Sequence, residues 1–146
     1  MMELAYGDEY LTTILKDVQV IAMVGASAKE ERPSYSVMRY LQAQGYRVVP
    51  VNPGLAGQDI LGETVYGSLA DIPFDYQMVD IFRNAEAAAK ISEEAVALKD
   101  DKSIAVIWMQ LGICHEEAAE RARGAGLKVV MDRCPKIEYG RLLGRS

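Results

Sequence analysis

The chain has 146 residues, half of them hydrophobic, and a formal net charge of −5. This length is typical of one domain with a substantial apolar core, so we expect residues 1–146 to form a single domain. The negative balance argues against a nucleic-acid binder, which needs a positive face. Two cysteines, Cys114 and Cys134, without a CxxC pair predict neither a disulfide framework nor a zinc site, and we expect no metal ligand.

The apolar runs of the chain are short. None approaches the roughly 20 residues that a membrane span requires. Residues 1–10 have neither the basic region nor the apolar region of a secretory signal. We therefore expect a cytoplasmic protein that does not contact membranes.

The N-terminal segment predicts a helix over residues 7–17, within an extension of residues 1–18, because its apolar side chains recur at helical spacing. We expect four of them to face the core: Leu11, Ile14, Leu15 and Val18. Five short runs rich in β-branched residues follow, at residues 20–24, 47–51, 77–81, 104–109 and 128–131. These runs are mostly apolar rather than alternating, as strands covered on both faces are. Amphipathic helical patterns separate them. The alternation predicts an α/β fold with a doubly wound, five-stranded, mainly parallel sheet and helices on both faces.

The loop after the first predicted strand has the features of a phosphate site. Gly25-Ala26-Ser27 ends the strand, and a helix is expected to begin near Pro33 or Ser34. Glycine lets backbone N–H groups approach a phosphate, and a helix N-terminus adds donors and a favourable dipole. A glycine here is often only a tight turn, but Ser27, Arg32 and Ser36 in the same segment favour the phosphate interpretation.

A pyridine dinucleotide is one alternative ligand. NAD sites usually need an acidic residue about 20 positions beyond the glycine turn, at the end of the second strand. No Asp or Glu occurs between Arg32 and Gln58, and the second strand ends in Asn52-Pro53. An NADP-type site stays open, because an arginine can take the extra phosphate. The later glycines of GxGxxG are missing, however, which makes this the weaker alternative.

Several separated segments, in order, resemble the small single-domain CoA-binding proteins, a family related to the CoA-binding domain of the succinyl-CoA synthetase α subunit. The segments are VGAS, ERPSYSVMRYLQAQGYRVVPVNP, VDIFR, WMQLGI and EEAAERARGAGLKVVMDRCPKIE. The resemblance implies a Rossmann-like domain that binds coenzyme A or an acyl-CoA, with the nucleotide part across the first and second strand ends. It implies no ligase activity, since the ATP-grasp and phosphohistidine portions have no counterpart here.

The resemblance also implies which residues contact the cofactor. They are Gly25, Ala26 and Ser27 in the phosphate turn, Arg32, Pro33, Ser34 and Ser36 at the helix entry, Asn52 and Pro53 near the adenosine, Phe82 and Arg83 at the third strand end, and Gln110 and Gly112 along the pantetheine path. Because guanidinium groups offset phosphate charge well, Arg32 and Arg83 are the expected cations. The family pattern places a histidine after Ile137-Glu138, where this chain has Tyr139.

An enzymatic alternative depends on Cys134, which follows Arg133 at the last strand end and would react with thiols or acyl groups as a thiolate. We favour a packing role for Cys134, since no Cys–His–acid arrangement supports nucleophilic catalysis. Asp80 is expected to order the strand-end loops by pairing with an arginine. The sequence thus predicts a CoA-binding module with no catalytic residue, and leaves open a homodimer or another protein partner. A small CoA-thioester or thiol-redox enzyme is the alternative.

Overall fold

A central sheet with helices on both faces forms the molecule, whose computed structural model describes residues 5–144. The helices are α1 (Asp8–Asp17), α2 (Pro33–Ala43), α3 (Ala85–Lys102), α4 (Glu116–Gly124) and α5 (Pro135–Leu142). The strands are β1 (Val20–Val24), β2 (Arg47–Val51), β3 (Asp59–Ile60), β4 (Glu63–Thr64), β5 (Met78–Ile81), β6 (Val106–Met109) and β7 (Lys128–Val130).

The main sheet has the strand order β2-β1-β5-β6-β7, and each neighbouring pair is parallel. The chain builds outward from β1 to β2 and then crosses back to place β5 on the other side of β1. The order therefore reverses between β1 and β5. This confirms the predicted α/β, doubly wound, five-stranded sheet. The separate antiparallel pair β3–β4 was not predicted, because strands of two residues carry too little pattern.

The predicted elements agree closely with the observed ones. The first two strands have the predicted bounds, while β5, β6 and β7 are each one or two residues shorter than predicted. Helix α1 begins one residue later than predicted, with Gly7 as its N-cap, and α2 begins at Pro33. The short helix α5 was missed, although Pro135 at its first position is a typical start signal.

The helices bury two separate apolar clusters. One cluster lies beneath α1, α2 and α5, and the other lies beneath α3 and α4, so the helices cover both faces as predicted. Four apolar side chains near α1 were predicted to face the core, and all four are buried: Leu11, Ile14, Leu15 and Val18. Burial of side chains of this size contributes about 1.5–3 kcal/mol each. None of the helices between residues 5 and 144 is both long and apolar enough to span a membrane.

Candidate ligand-binding site

A cleft opens at the carboxyl ends of β1, β2 and β5, on the side where the strand order reverses. Doubly wound sheets bind their ligands at this position. The cavity has a volume of about 330 Å³ and is lined by Gly25, Ala26, Ser27, Lys29, Arg32, Pro33, Ser34, Asn52 and Phe82. Every lining residue except Lys29 was predicted as a site residue. We call this cavity the switch-point pocket.

The turn at the end of β1 requires a glycine. Gly25 has φ of +89°, and a Cβ there would lie 2.7 Å from the carbonyl oxygen of Phe82 and 3.1 Å from Cδ of Arg83. The turn therefore packs directly against the end of β5. Gly25 and Ala26 direct their N–H groups at the carbonyl oxygen of Val51, at 3.0 and 3.4 Å. These two amides hold β1 to β2, which differs from the phosphate-binding role expected for them.

Other donors face the pocket from the loop and from the first turn of α2. No hydrogen bond between described residues uses the backbone N–H of Ser27 or Ser34. The Ser34 side chain is only 5% exposed and lines the pocket, and its hydroxyl also bonds to no described residue. The dipole of α2 adds partial positive charge at this end of the helix. The pocket thus offers unused donors to an anion.

Two cations border the same pocket. Lys29 and Arg32 are exposed, and neither forms an ion pair with any residue in the described range. The loop is folded by its own hydrogen bonds, from Lys29 N–H to Ser27 Oγ at 3.1 Å and from Arg32 N–H to the Lys29 carbonyl at 3.1 Å. Lys29 was missed by the sequence reasoning. The sequence could have indicated Lys29 as a site residue, because it lies in the same loop as Arg32.

Asn52 supports the turn with both ends of its amide. Its Nδ2 donates to the carbonyl of Ala26 at 2.8 Å, and its Oδ1 accepts from the N–H of Gly54 at 2.9 Å. The side chain therefore shapes the pocket wall and connects the ends of β1 and β2.

The remaining predicted residues lie outside the pocket lining. Ser36 Oγ accepts a hydrogen bond from Lys136 Nζ at 2.9 Å, which ties α2 to α5. Pro53 is exposed at the start of a short 3-10 turn. Arg83 is exposed, with its side chain against Gly25. Gln110 and Gly112 lie at the end of β6, one strand further along the sheet.

Gln110 contacts a buried carboxyl group. Asp80 is 0% exposed, and the amide nitrogen of Gln110, when directed at it, lies 3.1 and 3.3 Å from its two carboxyl oxygens. Burial raises the pKa of Asp80 well above its ordinary value of 3.8. Asp80 was expected to form an ion pair with an arginine, but the side chain that contacts its carboxyl group is that of Gln110.

The loops after β6 and β7 are bonded to each other. The N–H of Gly112 donates to Asp132 Oδ1 at 2.6 Å, and the indole N–H of Trp108 donates to the Arg133 carbonyl at 2.9 Å. Cys134 is 5% exposed at the N-cap of α5 and packs in the core, which confirms its predicted burial. His115 caps α4 by accepting from the Ala118 N–H at 3.1 Å.

Comparison with known proteins identifies the family. A family described as a CoA binding domain matches residues 19–140. This chain belongs to the CoA-binding domain family. The uncharacterized protein YneT of Bacillus subtilis (strain 168) is 32% identical over 126 residues, which are 86% of this chain and 89% of that protein.

Solved structures share the fold of this chain. A hypothetical protein from Pyrococcus horikoshii has 38% sequence identity and a TM-score of 0.87, over 99% of this CoA-binding domain and 100% of that chain. An acetyl-coenzyme A synthetase of Ca. Korarchaeum cryptofilum has a TM-score of 0.63 at 19% identity, over 76% of this domain and 25% of that chain. At that identity the likeness concerns the fold alone.

Proposed function

We propose that this CoA-binding domain binds coenzyme A or an acyl-CoA with the phosphates of the nucleotide end in the switch-point pocket. One observation carries the proposal: the pocket combines the hydroxyl of the largely buried Ser34 and the N-terminus of α2 with two exposed cations that form no ion pair within residues 5–144. Charge-assisted hydrogen bonds from such groups are the strong contacts available to phosphate oxygens.

The donor set fits a phosphate-bearing ligand better than a ribose. The N–H groups of Ser27 and Ser34 can donate to phosphate oxygens, and no carboxylate lines the pocket in the part of the chain that the structure describes. Asn52, at the end of β2, uses both ends of its amide within the protein. These features support CoA over a dinucleotide held by its ribose hydroxyls.

The size of the pocket suggests how the rest of the ligand lies. A volume of about 330 Å³ is at the small end of ligand sites, so the pocket suits the phosphate end rather than the whole of CoA. Phe82 borders the pocket at the end of β5, and the N–H of Gln110 donates to the carbonyl of Ile81 at 3.2 Å. We propose that the pantetheine arm passes over Phe82 toward Gln110 and Gly112.

We further propose that binding occurs without catalysis. Catalysis on a thioester would need a nucleophile or an acid–base pair beside the ligand. The described lining residues include serine, lysine and arginine but neither histidine, cysteine nor a carboxylate. The burial of Cys134 in the core supports the same view.

Calorimetric titration with CoA, dephospho-CoA, acetyl-CoA, NADP and ATP tests the proposal. We expect saturable binding of CoA and acetyl-CoA, weaker binding of dephospho-CoA, and at least tenfold weaker binding of NADP and ATP. Saturable binding of NADP without binding of CoA would refute the assignment.

The role of Arg83 is tested in the same titration. We expect the Arg83→Ala variant to bind CoA more weakly, because it removes a cation that lies beside Gly25 at the pocket turn. Unchanged affinity in this variant would remove Arg83 from the site and leave Lys29 and Arg32 as the cations.

A further inference from the structure

A carboxyl group lies in the middle of the sheet, among apolar side chains. Asp80 is 0% exposed and is paired in register with Met23 of β1 and Trp108 of β6. It forms no ion pair within residues 5–144. Burial without an opposite charge disfavours a carboxylate and raises the pKa of this group. The folded protein therefore favours Asp80 as a neutral acid.

A neutral acid in the core needs a hydrogen-bond acceptor, because its O–H costs free energy when it is buried without one. In the part of the chain that the structure describes, the Gln110 side chain is the one polar partner of this carboxyl group. One of its two amide atoms lies 3.1 and 3.3 Å from the carboxyl oxygens. The neutral acid requires Oε1 in that position, whereas a carboxylate would require Nε2. The proton on Asp80 therefore decides which end of the amide faces away from the core.

The outward end of the Gln110 amide has no partner in the protein. Gln110 is only 5% exposed, and its side chain forms no further hydrogen bond with any residue between 5 and 144. Its backbone N–H donates to the carbonyl of Ile81 at 3.2 Å, so it lies beside the residue that precedes Phe82 of the switch-point pocket. A largely buried polar atom without a partner is available to a ligand. With Oε1 directed at the neutral Asp80, that atom is Nε2, a donor.

We propose that Asp80 is a positioning residue: as a neutral acid it holds Oε1 of Gln110 and so directs Nε2 at the ligand, where Nε2 donates to a carbonyl oxygen of the pantetheine arm. Asp80 acts only through Gln110 and touches no ligand itself. This inference rests on the proposed function, which places the pantetheine arm over Phe82 and toward Gln110. It adds that this end of the site recognises a carbonyl group and does so through a donor.

The Gln110→Met variant tests the contact, because methionine has a similar shape and no amide. Calorimetry with two ligands separates the ends of CoA: CoA itself, and adenosine 3′,5′-bisphosphate, which lacks the pantetheine arm. We expect about fivefold weaker binding of CoA and unchanged binding of the bisphosphate. Gln77→Met is the matched control, since Gln77 bonds to the N–H groups of Gln19 and Val20 at the opposite end of the sheet. It should bind CoA as the wild type does.

Substitutions of Asp80 test whether it acts through Gln110. Asp80→Asn keeps a donor for Oε1 and should bind CoA within about twofold of the wild type. Asp80→Val removes the donor and should bind CoA about threefold more weakly, with unchanged binding of the bisphosphate. The Asp80→Val/Gln110→Met variant should match Gln110→Met alone, because Asp80 has no effect once the amide is gone. An equal further loss in the double variant would overturn the proposal, since Asp80 would then act independently of Gln110.

The wild-type protein provides a second test that does not depend on the folding of any Asp80 variant. The side-chain amide ¹⁵N and ¹H resonances of Gln110 should shift on addition of CoA and stay in place on addition of the bisphosphate. The carboxyl ¹³C shift of Asp80 at neutral pH should be that of a neutral acid. A carboxylate shift, or wild-type CoA affinity in Gln110→Met, would overturn this inference alone. Failure of the wild type to bind either ligand would refute the proposed function as well.

Discussion

The two halves of the carboxyl edge of the sheet differ in how their polar groups are used. At the ends of β1, β2 and β5, the switch-point pocket keeps donors and cations without partners among residues 5–144. At the ends of β6 and β7, Gly112 bonds to Asp132, Gln110 contacts Asp80, and Trp108 bonds to the Arg133 carbonyl. We propose that the first half receives an anion, because the polar groups of the second half bond within the protein.

This difference separates residues that the sequence had grouped together. Residues from both halves were predicted to contact one ligand, yet the polar contacts of Gln110 and the N–H of Gly112 stabilise the protein itself. We therefore expect substitutions of the pocket cations Lys29 and Arg32 to change affinity and substitutions at Asp132 to change stability. A substitution at Gly25, whose backbone builds the pocket, should change both. Four variants test these expectations.

Gly25→Ala should have the largest effect. The substitution forces a Cβ to within 2.7 Å of the Phe82 carbonyl at a φ of +89°. We expect a loss of about 3 kcal/mol in the free energy of unfolding, measured by urea denaturation, and loss of measurable CoA binding. The matched control is Gly124→Ala, where no heavy atom lies within 4 Å of the added Cβ. Wild-type stability in Gly25→Ala would show that the turn is not constrained as described.

The Lys29→Ala/Arg32→Ala variant should weaken CoA binding about thirtyfold, or about 2 kcal/mol, because two exposed cations are lost from an anion site. Its stability should stay near that of the wild type, since neither residue forms an ion pair within the described range. Arg39→Ala, an exposed cation on α2 outside the pocket lining, is the control. Calorimetry gives the affinities. Equal affinity in both variants would place the anion elsewhere.

Asp132→Ala should reduce stability by about 2 kcal/mol and leave CoA affinity unchanged within twofold. It removes the 2.6 Å hydrogen bond from Gly112 and places alanine at a φ of +57°. Asp132→Asn should recover most of the loss, because asparagine keeps an acceptor and tolerates this backbone conformation. A tenfold change in affinity with normal stability would contradict the division between the two halves.

The Asp80 carboxyl group should make stability fall as pH rises. Its pKa is raised by burial, so the folded state favours the protonated form. Its stabilising effect is complete below the unfolded value near 3.8 and is lost as the pH rises through the folded pKa. Between the unfolded and the folded pKa, we expect Asp80 to lower the free energy of unfolding by about 1.4 kcal/mol for each unit of pH increase. Urea denaturation of Asp80→Asn across pH should lack this slope, and Asp17→Asn, at an exposed position, should keep it. The same slope in Asp80→Asn would assign it to another group.

The fold was largely predictable from the sequence because buried parallel strands and amphipathic helices leave strong patterns. The position of the pocket was predictable from Gly25 and Pro33. A tight turn after a strand favours glycine, and the first position of a helix favours proline, so both residues are recognisable in the sequence. The side-chain contacts between the ends of neighbouring strands were not predictable. The Asp80–Gln110 contact and the bond from Gly112 to Asp132 depend on which strands are neighbours and how their ends align. Only the structure therefore shows which strand ends have polar groups without hydrogen-bond partners and which have polar groups bonded within the protein.

Titration of ¹⁵N-labelled protein with CoA, followed by amide chemical shifts, tests the central claim most directly. The account predicts saturable shifts that are largest for the N–H groups of residues 25–32 and of Ser34, with smaller shifts at Phe82 and Gln110. The largest shifts at residues 112 and 132–136, or no saturable shifts at all, would contradict it.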